Sequence, residues 1–350
     1  MQSSSTEPKT IVASAPCRAD LAGGTLDLWP LYLFHPGAVT VNFALSIFTY
    51  CRITPLPGKQ IRLRSVDTKK EDLFASFDEM VKSKQPKHSL AVQLIKFFQP
   101  EGGFSLETDS ESPAGAGISG SSAMMIATTA ALARFTGKKI GLEEMRVIAQ
   151  NVEAQLINVP TGCQDYYPAL YGGVSTIHLD AGGIRREGIS TSAADIDSRF
   201  LVIYTGAPRQ SGINNWEVFK AHINGDKKVV KNFETISEIA QGMHTAMKNA
   251  DWDQVAHLIR EEWKLRRSNH EHISTPVIDR LVAVAAKTGG RAAKVCGAGG
   301  GGCVLFMVKD GAKERVIEAI RLNGGLVLPC KMSTEGLTIK TQLASKAARA

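Results

Sequence analysis

The 350-residue sequence lacks the marks of several protein classes. Its six cysteines include no C-x-x-C pair and lie mostly in apolar stretches, so we expect neither a disulfide framework nor a zinc site, and a reducing compartment. The first ten residues are polar and lack the apolar centre of a signal peptide. The two long uncharged stretches, 28–51 and 112–133, are interrupted by Pro, His, Gly or Ser, so neither is the run of about 20 apolar residues that spans a membrane. We therefore expect a cytoplasmic protein without a membrane partner.

The sequence also lacks a concentrated patch of positive charge, although its formal net charge is +7. A basic surface for nucleic acid is one interpretation, and a solvated basic surface is the other. Acidic residues interrupt the basic ones, and no predicted helix or strand carries a dense basic stripe interleaved with aromatics. We therefore expect no nucleic-acid partner.

The predicted strands and helices do not alternate regularly along the chain, which favours an α+β fold over a parallel Rossmann-type sheet. The apolar patterns predict strands at 11–14, 39–54, 61–66, 104–108, 174–179, 200–204, 291–296, 303–308 and 325–333. They predict helices at 86–98, 122–136, 142–156 and 312–322, and a largely helical stretch at 214–287. The last dozen residues are predicted to be a loose tail. A composition shift predicts a boundary between domains 1–195 and 196–350.

A glycine- and serine-rich loop at 113–123 precedes one of the predicted helices. Glycines let backbone N–H groups approach an anion, and a helix N-terminus adds free N–H groups and a positive dipole end. The loop is not a Walker A motif, because position 121 is Ser where that motif needs Lys. The alternative is a turn of small residues with a Ser that caps a core helix. The candidate phosphate-binding residues are Gly115, Gly117, Ser119, Gly120, Ser121 and Ser122.

A second glycine loop separates two apolar runs and has five glycines within positions 297–302. A hairpin turn needs only one or two glycines, so the excess suggests that the backbone closely approaches another group. The alternative is a flexible hairpin loop. Gly297, Gly299 and Gly300 are the candidates for nucleotide contact.

Two acidic residues between these loops are candidates for chemistry. Asp165, in the weakly polar segment 160–167, could orient or deprotonate a hydroxyl, or could cap a turn. Glu153, on the predicted helix before it, could bind Mg²⁺ beside the Ser-rich loop, or could be an exposed helix charge.

Three charges, Arg18, Asp20 and Asp27, lie in the apolar, glycine-containing segment 15–27. Carboxylates can accept the hydroxyls of a polyol, with Arg as a fixed cation. The alternative is a buried Arg–Asp pair that holds a turn, and this segment alone does not separate the two.

In this order, the segments resemble the motifs of the GHMP kinase superfamily. Segment 15–27 is similar to the first motif, which begins galactokinases as APGRxNLIGEHTD, segment 113–123 to the second, and segment 294–304 to the third. A G-x-x-D element, Gly162 to Asp165, lies between them. The resemblance implies a ribosomal S5 domain 2-like N-terminal half and a ferredoxin-like C-terminal half. It also implies ATP and Mg²⁺ as cofactors, a small-molecule acceptor, and a monomer or homodimer.

The resemblance also implies roles for individual residues. Asp165 matches the catalytic base of galactokinases, Arg18 the arginine beside that base, and Asp27 the carboxylate that binds sugar hydroxyls. Ser122 and Glu153 match the Mg²⁺ ligands, and the two glycine loops match the ATP site. The remaining candidates for substrate binding are Asp20, Gly23, Gly24, Gly162, Gln164 and Arg209.

The departures from galactokinase narrow the expected substrate. Gly24-Thr25 replaces Glu-His in the first motif, and Tyr166 replaces the Gln after the base, so the sequence is more similar to the heptose-phosphate kinase and fucokinase branch. In that branch Arg209 faces a substrate phosphate or pairs at the surface. We expect transfer of the ATP γ-phosphoryl to a sugar or sugar-phosphate hydroxyl, with the anomeric hydroxyl of heptose 7-phosphate as an example. The alternatives are a kinase for a non-sugar alcohol and a catalytically silent ligand sensor.

Overall fold

The computed structural model of the chain describes residues 9–208 and 213–343. Arg209 lies outside the described residues. Within these ranges, twelve strands form two sheets. The strands are β1 Lys9–Ala22, β2 Val39–Leu56, β3 Ile61–Ser65, β4 Lys70–Phe74, β5 Gly103–Ser110, β6 Val174–Asp180, β7 Gly183–Ile189, β8 Phe200–Tyr204, β9 Gly290–Val295, β10 Cys303–Val308, β11 Leu326–Val327 and β12 Thr338–Leu343.

The larger sheet has eight strands in the order β12-β1-β2-β5-β3-β4, and β6 and β7 continue it from β2. All of its pairings are antiparallel except that of β3 with β5. The smaller sheet has the antiparallel order β11-β8-β10-β9. The mixture of antiparallel sheets and helices is an α+β fold.

In the described part of the chain, eleven α-helices and a short 3-10 helix, Leu31–Phe34, cover these sheets. The α-helices are α1 Phe77–Lys82, α2 Ser89–Phe98, α3 Gly120–Phe135, α4 Leu142–Ile157, α5 Tyr166–Tyr171, α6 Ala193–Arg199, α7 Ile213–Ile223, α8 Lys227–Lys248, α9 Trp252–Ser268, α10 Pro276–Thr288 and α11 Lys313–Leu322. Local sequence sets several starts: Asp226, Asp251 and Thr275 each accept a backbone N–H of the helix that follows.

Helix α3 is the central helix of the fold. It is rich in Ala and Met and is buried on nearly every face, as expected for a helix packed on all sides. It contacts β1 and β2 on the larger sheet and helices α2 and α4. The residue before it, Ser119, has a left-handed φ of 65°, so the chain turns sharply from the glycine-rich loop into the helix. The loop is thereby fixed to the most buried helix.

The α+β prediction and the order of most elements are confirmed, but strands near both ends of the chain differ from the predictions. Strand β1 continues past Pro16 to Ala22, with a register shift between Pro16 and Arg18, so the first motif lies on a strand up to Ala22 and continues into a turn that contains Asp27. The predicted strand at 325–333 is reduced to β11. Strand β12 pairs with β1, so the prediction of a loose tail is wrong for 339–343. Its side chains are mostly exposed and polar, which left no apolar pattern to detect.

Sheet membership changes between β7 and β8, which supports the boundary that we propose near residue 195, although β12 returns to the larger sheet. Within the described ranges, no helix combines the length and apolar character needed to cross a membrane.

Candidate active site

Two cavities adjoin the glycine-rich loop that precedes α3. The first, of about 330 Å³, is lined by the first motif, the segment 159–165, and residues 215–217 at the start of α7. The second, of about 390 Å³, is lined by residues 112–117 and 119–121 and by the segment 87–91. Ser121 lines both cavities, so the loop lies between them. A ligand in one cavity and a ligand in the other would meet at this loop.

Arg18 connects the segments that the sequence singled out. Its Nε and Nη2 lie 2.8 and 2.7 Å from Asp165 Oδ1. Its Nη1 donates to the carbonyl oxygens of Gly117, at 3.0 Å, and Cys296, at 2.5 Å. Burial opposes the charge, but Asp165 and Asp20 raise the pKa of Arg18, so the guanidinium stays ionised. One cation therefore joins the first motif, both glycine loops and the predicted base.

Asp165 immediately precedes α5 and lines the first cavity. Its side chain is 21% exposed, so a small molecule in that cavity can reach it. Both contacts with Arg18 use Oδ1, which leaves Oδ2 to accept a proton from a bound hydroxyl. The geometry is compatible with the predicted general base.

Asp27 also lines the first cavity. It is 2% exposed, and its Oδ2 accepts the backbone N–H of Gln164 at 2.9 Å. Burial, with repulsion from Asp165 and Asp20, raises the pKa of Asp27 to about 7. A Cβ at Gly162 would lie 2.0 Å from Asp27 Oδ2, so only glycine fits against this carboxyl group. A carboxyl that can exchange a proton near neutral pH can accept from or donate to a sugar hydroxyl.

Glu153 accepts hydrogen bonds from three hydroxyl groups. Ser121 and Ser122 donate to it at 2.7 and 3.0 Å, and Tyr166 donates at 2.7 Å. Glu153 is 5% exposed, so the alternative of an exposed helix charge is wrong. Burial raises its pKa, against the three hydrogen bonds, which lower it. A carboxylate beside serine oxygens is a set of hard oxygen ligands, so the residues fit Mg²⁺.

The glycine-rich loop fits a phosphate group. Gly115 and Gly117 have left-handed φ values of 68° and 76°, a conformation that glycine adopts without strain. Ser119 Oγ is buried and has no hydrogen-bond partner within the described ranges. An orphaned hydroxyl and the N-terminus of α3, which begins at Gly120, are suited to an anionic oxygen in the second cavity.

The glycines of the second loop have two different surroundings, a cavity and the chain itself. Gly297, a candidate for nucleotide contact, lines the first cavity and is not among the residues that line the second, where most of the phosphate loop lies. By contrast, a Cβ at Gly299 would lie 2.3 Å from the carbonyl oxygen of Ile273, and the N–H of Gly300 donates to the same oxygen at 3.0 Å. The close approach inferred from the excess of glycine is, at these two positions, an approach to the chain itself.

Asp20 belongs to a buried charge network. Lys294 Nζ lies 2.5 Å from Asp20 Oδ2 and 3.3 Å from Glu262, and Arg266 pairs with Glu262. Arg266 also donates to the Gly24 carbonyl oxygen at 2.7 Å, which attaches the network to the first motif. The negative charges of the two carboxylates balance the positive charges of the two cations. Asp20 and Arg266 both line the first cavity.

Two glycines of the first motif serve different needs. A Cβ at Gly23, whose φ is 85°, would lie 2.2 Å from the Val39 carbonyl oxygen, so this glycine allows the strands to pack. A Cβ at Gly24 would lie 2.9 Å from both Asp20 Oδ2 and Gln164 Nε2. Gly24 lines the first cavity, and glycine there leaves room for the side chains of Asp20 and Gln164.

Sequence reasoning missed several residues of the two cavities and of the charge network beside the first one. Lys294, Glu262 and Arg266 were missed, although a lysine inside the apolar strand β9 was a usable signal. Trp216 of α7 lines the first cavity from a distant part of the chain, where only helical spacing was apparent. In the second cavity, His88 pairs through Nδ1 with Asp72 at 2.8 Å.

Comparison with known proteins assigns the family. The family model described as "GHMP kinases N terminal domain" matches residues 89–173, and the one described as "GHMP kinases C terminal" matches residues 243–325. The two matches cover α3 with its phosphate loop and the segment from α8 to the smaller sheet. The chain belongs to the GHMP kinases.

Individual relatives agree with this assignment. The chain is 25% identical over 338 residues to the D-glycero-alpha-D-manno-heptose 7-phosphate kinase of Campylobacter jejuni, a match that covers 94% of this chain and 98% of that protein. It is 24% identical to the mevalonate kinase of Thermococcus sibiricus, with 94% and 98% covered. A crystal structure of a D-glycero-D-manno-heptose 1-phosphate kinase from Bacteriodes thetaiotaomicron superposes with a TM-score of 0.77 at 21% identity, covering 96% of this chain and all of that one. This likeness establishes the GHMP kinase fold.

Proposed function

We propose that this protein is an ATP-dependent kinase that phosphorylates a hydroxyl of a sugar or sugar phosphate. The observation that carries the proposal is the position of Arg18. Its guanidinium bonds both to Asp165, in the first cavity, and to the carbonyl oxygen of Gly117, in the loop that lines the second. A phosphate donor on one side of the loop is thus brought to a hydroxyl acceptor on the other.

The second cavity is the proposed nucleotide site. Backbone N–H groups of the loop, the N-terminus of α3 and Ser119 Oγ bind the phosphate oxygens. Ser121, Ser122 and Glu153 would hold Mg²⁺, which, when bound, neutralises charge on the phosphates. Catalysis is then mainly positioning and charge stabilisation, as in other phosphoryl transfers.

The first cavity is the proposed acceptor site. Asp165 takes the proton of the attacking hydroxyl, and Arg18 stabilises negative charge on the transferring group. Asp27 and Gln164 bind further hydroxyls of the acceptor. Carboxylate oxygens of the lining can accept hydrogen bonds from hydroxyl groups of the acceptor. The five acidic residues that line this cavity are Asp20, Asp27, Glu153, Asp165 and Glu217.

The charges of the acceptor site favour a polyol over an acid. Of the described residues that line this cavity, the two cations are Arg18 and Arg266, and both already pair with a carboxylate. A carboxylate acceptor such as mevalonate therefore meets no unpaired cation in this lining. A phosphate on the sugar would need a cation from elsewhere, and the candidate is Arg209, for which the resemblance leaves two roles open, facing a substrate phosphate or pairing at the surface. The predicted base and phosphate loop are both present, which argues against a silent sensor.

The test is release of ADP from Mg-ATP with a panel of acceptors. The panel contains heptose 7-phosphate, fucose, galactose and glucuronate, with mevalonate and homoserine as non-sugar controls. Turnover on one sugar supports the proposal, whereas turnover on mevalonate or homoserine alone contradicts it. Failure to bind ATP would remove the kinase assignment from this chain.

Asp165→Asn tests the base directly. We expect turnover to fall by about 10²–10⁴-fold, the usual range for loss of a general base, with ATP binding retained. Asp180→Asn, which changes an exposed carboxylate at the end of β6, is the matched control. Near-normal turnover of Asp165→Asn would remove Asp165 from this role.

The setting of the enzyme is also proposed. In the described part of the chain the six cysteines form no disulfide, and five of them are buried, which suits a reducing compartment and supports a cytoplasmic location. We propose a monomer or homodimer, which size-exclusion chromatography with light scattering would decide.

A further inference from the structure

A cluster of polar side chains lies between the β6–β7 hairpin and helix α8, and none of its members lines either cavity. In the register of the hairpin, Thr176 lies opposite Glu187, and His178 is two residues further along on the same face. Helix α8 contributes His244 and Lys248, which lie one turn apart on one helix face. Three chain segments therefore converge on one point.

Three of these residues have the right atoms for a metal site. One ligand atom each of His178, Glu187 and His244 lies within 4.8 Å of the other two. His178 Nε2 is 2.9 Å from Glu187 Oε2, and His244 Nε2 is 3.9 Å from the same oxygen. The three side chains are 23%, 30% and 19% exposed, so an ion can reach them from solvent.

The neighbours of the cluster orient its ligands. Thr176 Oγ1 lies 2.8 Å from His244 Nδ1, a contact that leaves Nε2 of this ring directed at Glu187. Lys248 Nζ lies 3.0 Å from Glu187 Oε1, which fixes the carboxylate while Oε2 faces the two imidazoles. Hydrogen bonds of this kind to the outer atoms of the ligands are typical of metal sites.

We infer that His178, Glu187 and His244 bind one transition-metal ion of the zinc class, with a fourth position open to water. Two imidazole nitrogens and one carboxylate oxygen suit Zn²⁺, whereas Mg²⁺ prefers oxygen alone. Zinc bonds of about 2.0–2.1 Å need ligand atoms roughly 3.3 Å apart, so the side chains have to move by less than about 1 Å. The ion joins the hairpin of the larger sheet to α8 and stabilises the contact between them. The competing explanation is an ion-pair cluster of His178, Glu187 and Lys248 that needs no metal.

The test uses the full chain after dialysis against a chelator. Zn²⁺ is titrated in competition with a chromophoric chelator, and Co²⁺ is added separately as a spectroscopic probe. We expect one Zn²⁺ per chain, visible Co²⁺ bands of a four-coordinate site without a thiolate charge-transfer band, and a rise in the thermal unfolding midpoint with Zn²⁺. His178→Gln and His244→Gln should each weaken binding by at least about tenfold and remove the thermal shift.

His270→Gln is the matched control, because His270, Glu271 and His272 form another histidine- and glutamate-containing segment. It should bind Zn²⁺ as the wild type does. Kinase activity, expected unchanged in all three variants, reports that the fold is intact. Three results would overturn the inference: no saturable binding, binding that survives both cluster variants, or binding that depends on His270 or shows a thiolate band.

Discussion

Replacing Asp27 by Asn should stabilise the protein, and by more as the pH rises. Burial and two neighbouring carboxylates raise the pKa of Asp27 from 3.8 to about 7 in the folded protein. Because the folded pKa is the higher one, the native state holds the proton more tightly than the unfolded chain does. The stabilisation that comes from a protonated Asp27 is complete below about pH 4 and is lost as the pH rises through about 7.

The size of the effect follows from the two pKa values. The difference between 3.8 and about 7 corresponds to about 4 kcal/mol above about pH 8, at about 1.4 kcal/mol for each pH unit. An asparagine keeps an oxygen that can accept the N–H of Gln164, but it cannot ionise. Asp27→Asn should therefore differ little from the wild type near pH 4 and be more stable by a few kcal/mol near pH 8.

The assay is urea unfolding of both proteins at several pH values between about 4 and 8, with the difference in free energy of unfolding plotted against pH. Asp310→Asn, at a side chain that is 84% exposed, removes the same charge without the burial. If the difference between Asp27→Asn and the wild type stays flat across this range, burial of Asp27 in the folded state has been misjudged, and its role as a proton-exchanging hydroxyl ligand loses its basis.

Two further substitutions test the site and its support. Gly162→Ala should raise the KM for the acceptor while leaving the KM for ATP unchanged, because the new Cβ would displace Asp27; equal changes in the two constants would contradict this. Lys294→Met should lower the free energy of unfolding by about 3–5 kcal/mol in urea titrations, because it leaves Asp20 buried without its cation while Glu262 keeps Arg266, and a loss below about 1 kcal/mol would contradict the network.

The parts of the site that sequence could predict are the parts encoded within a few consecutive residues. The phosphate loop is recognisable by its glycines and serines before a predicted helix, and Asp165 is recognisable as an acidic residue in a weakly polar segment. The network around Lys294 is different, because its members come from β1, α9 and β9 and meet only after folding. Strand β12 was missed for a related reason: its pairing with β1 uses backbone hydrogen bonds, which polar side chains do not reveal.

Arg18 explains how a set of separate motifs becomes one site. Each motif alone admits a structural explanation, and a buried Arg–Asp pair was one of them. In the structure the partner of Arg18 is Asp165, not an aspartate of its own segment, and the same guanidinium also bonds to a carbonyl oxygen in each glycine loop. A planar guanidinium has five donors in a fixed geometry and can serve three partners at once, whereas a lysine ammonium carries the same charge at one point. The structural and catalytic explanations are therefore compatible: the contacts that hold the loops together also place a fixed positive charge between the base and the phosphate site.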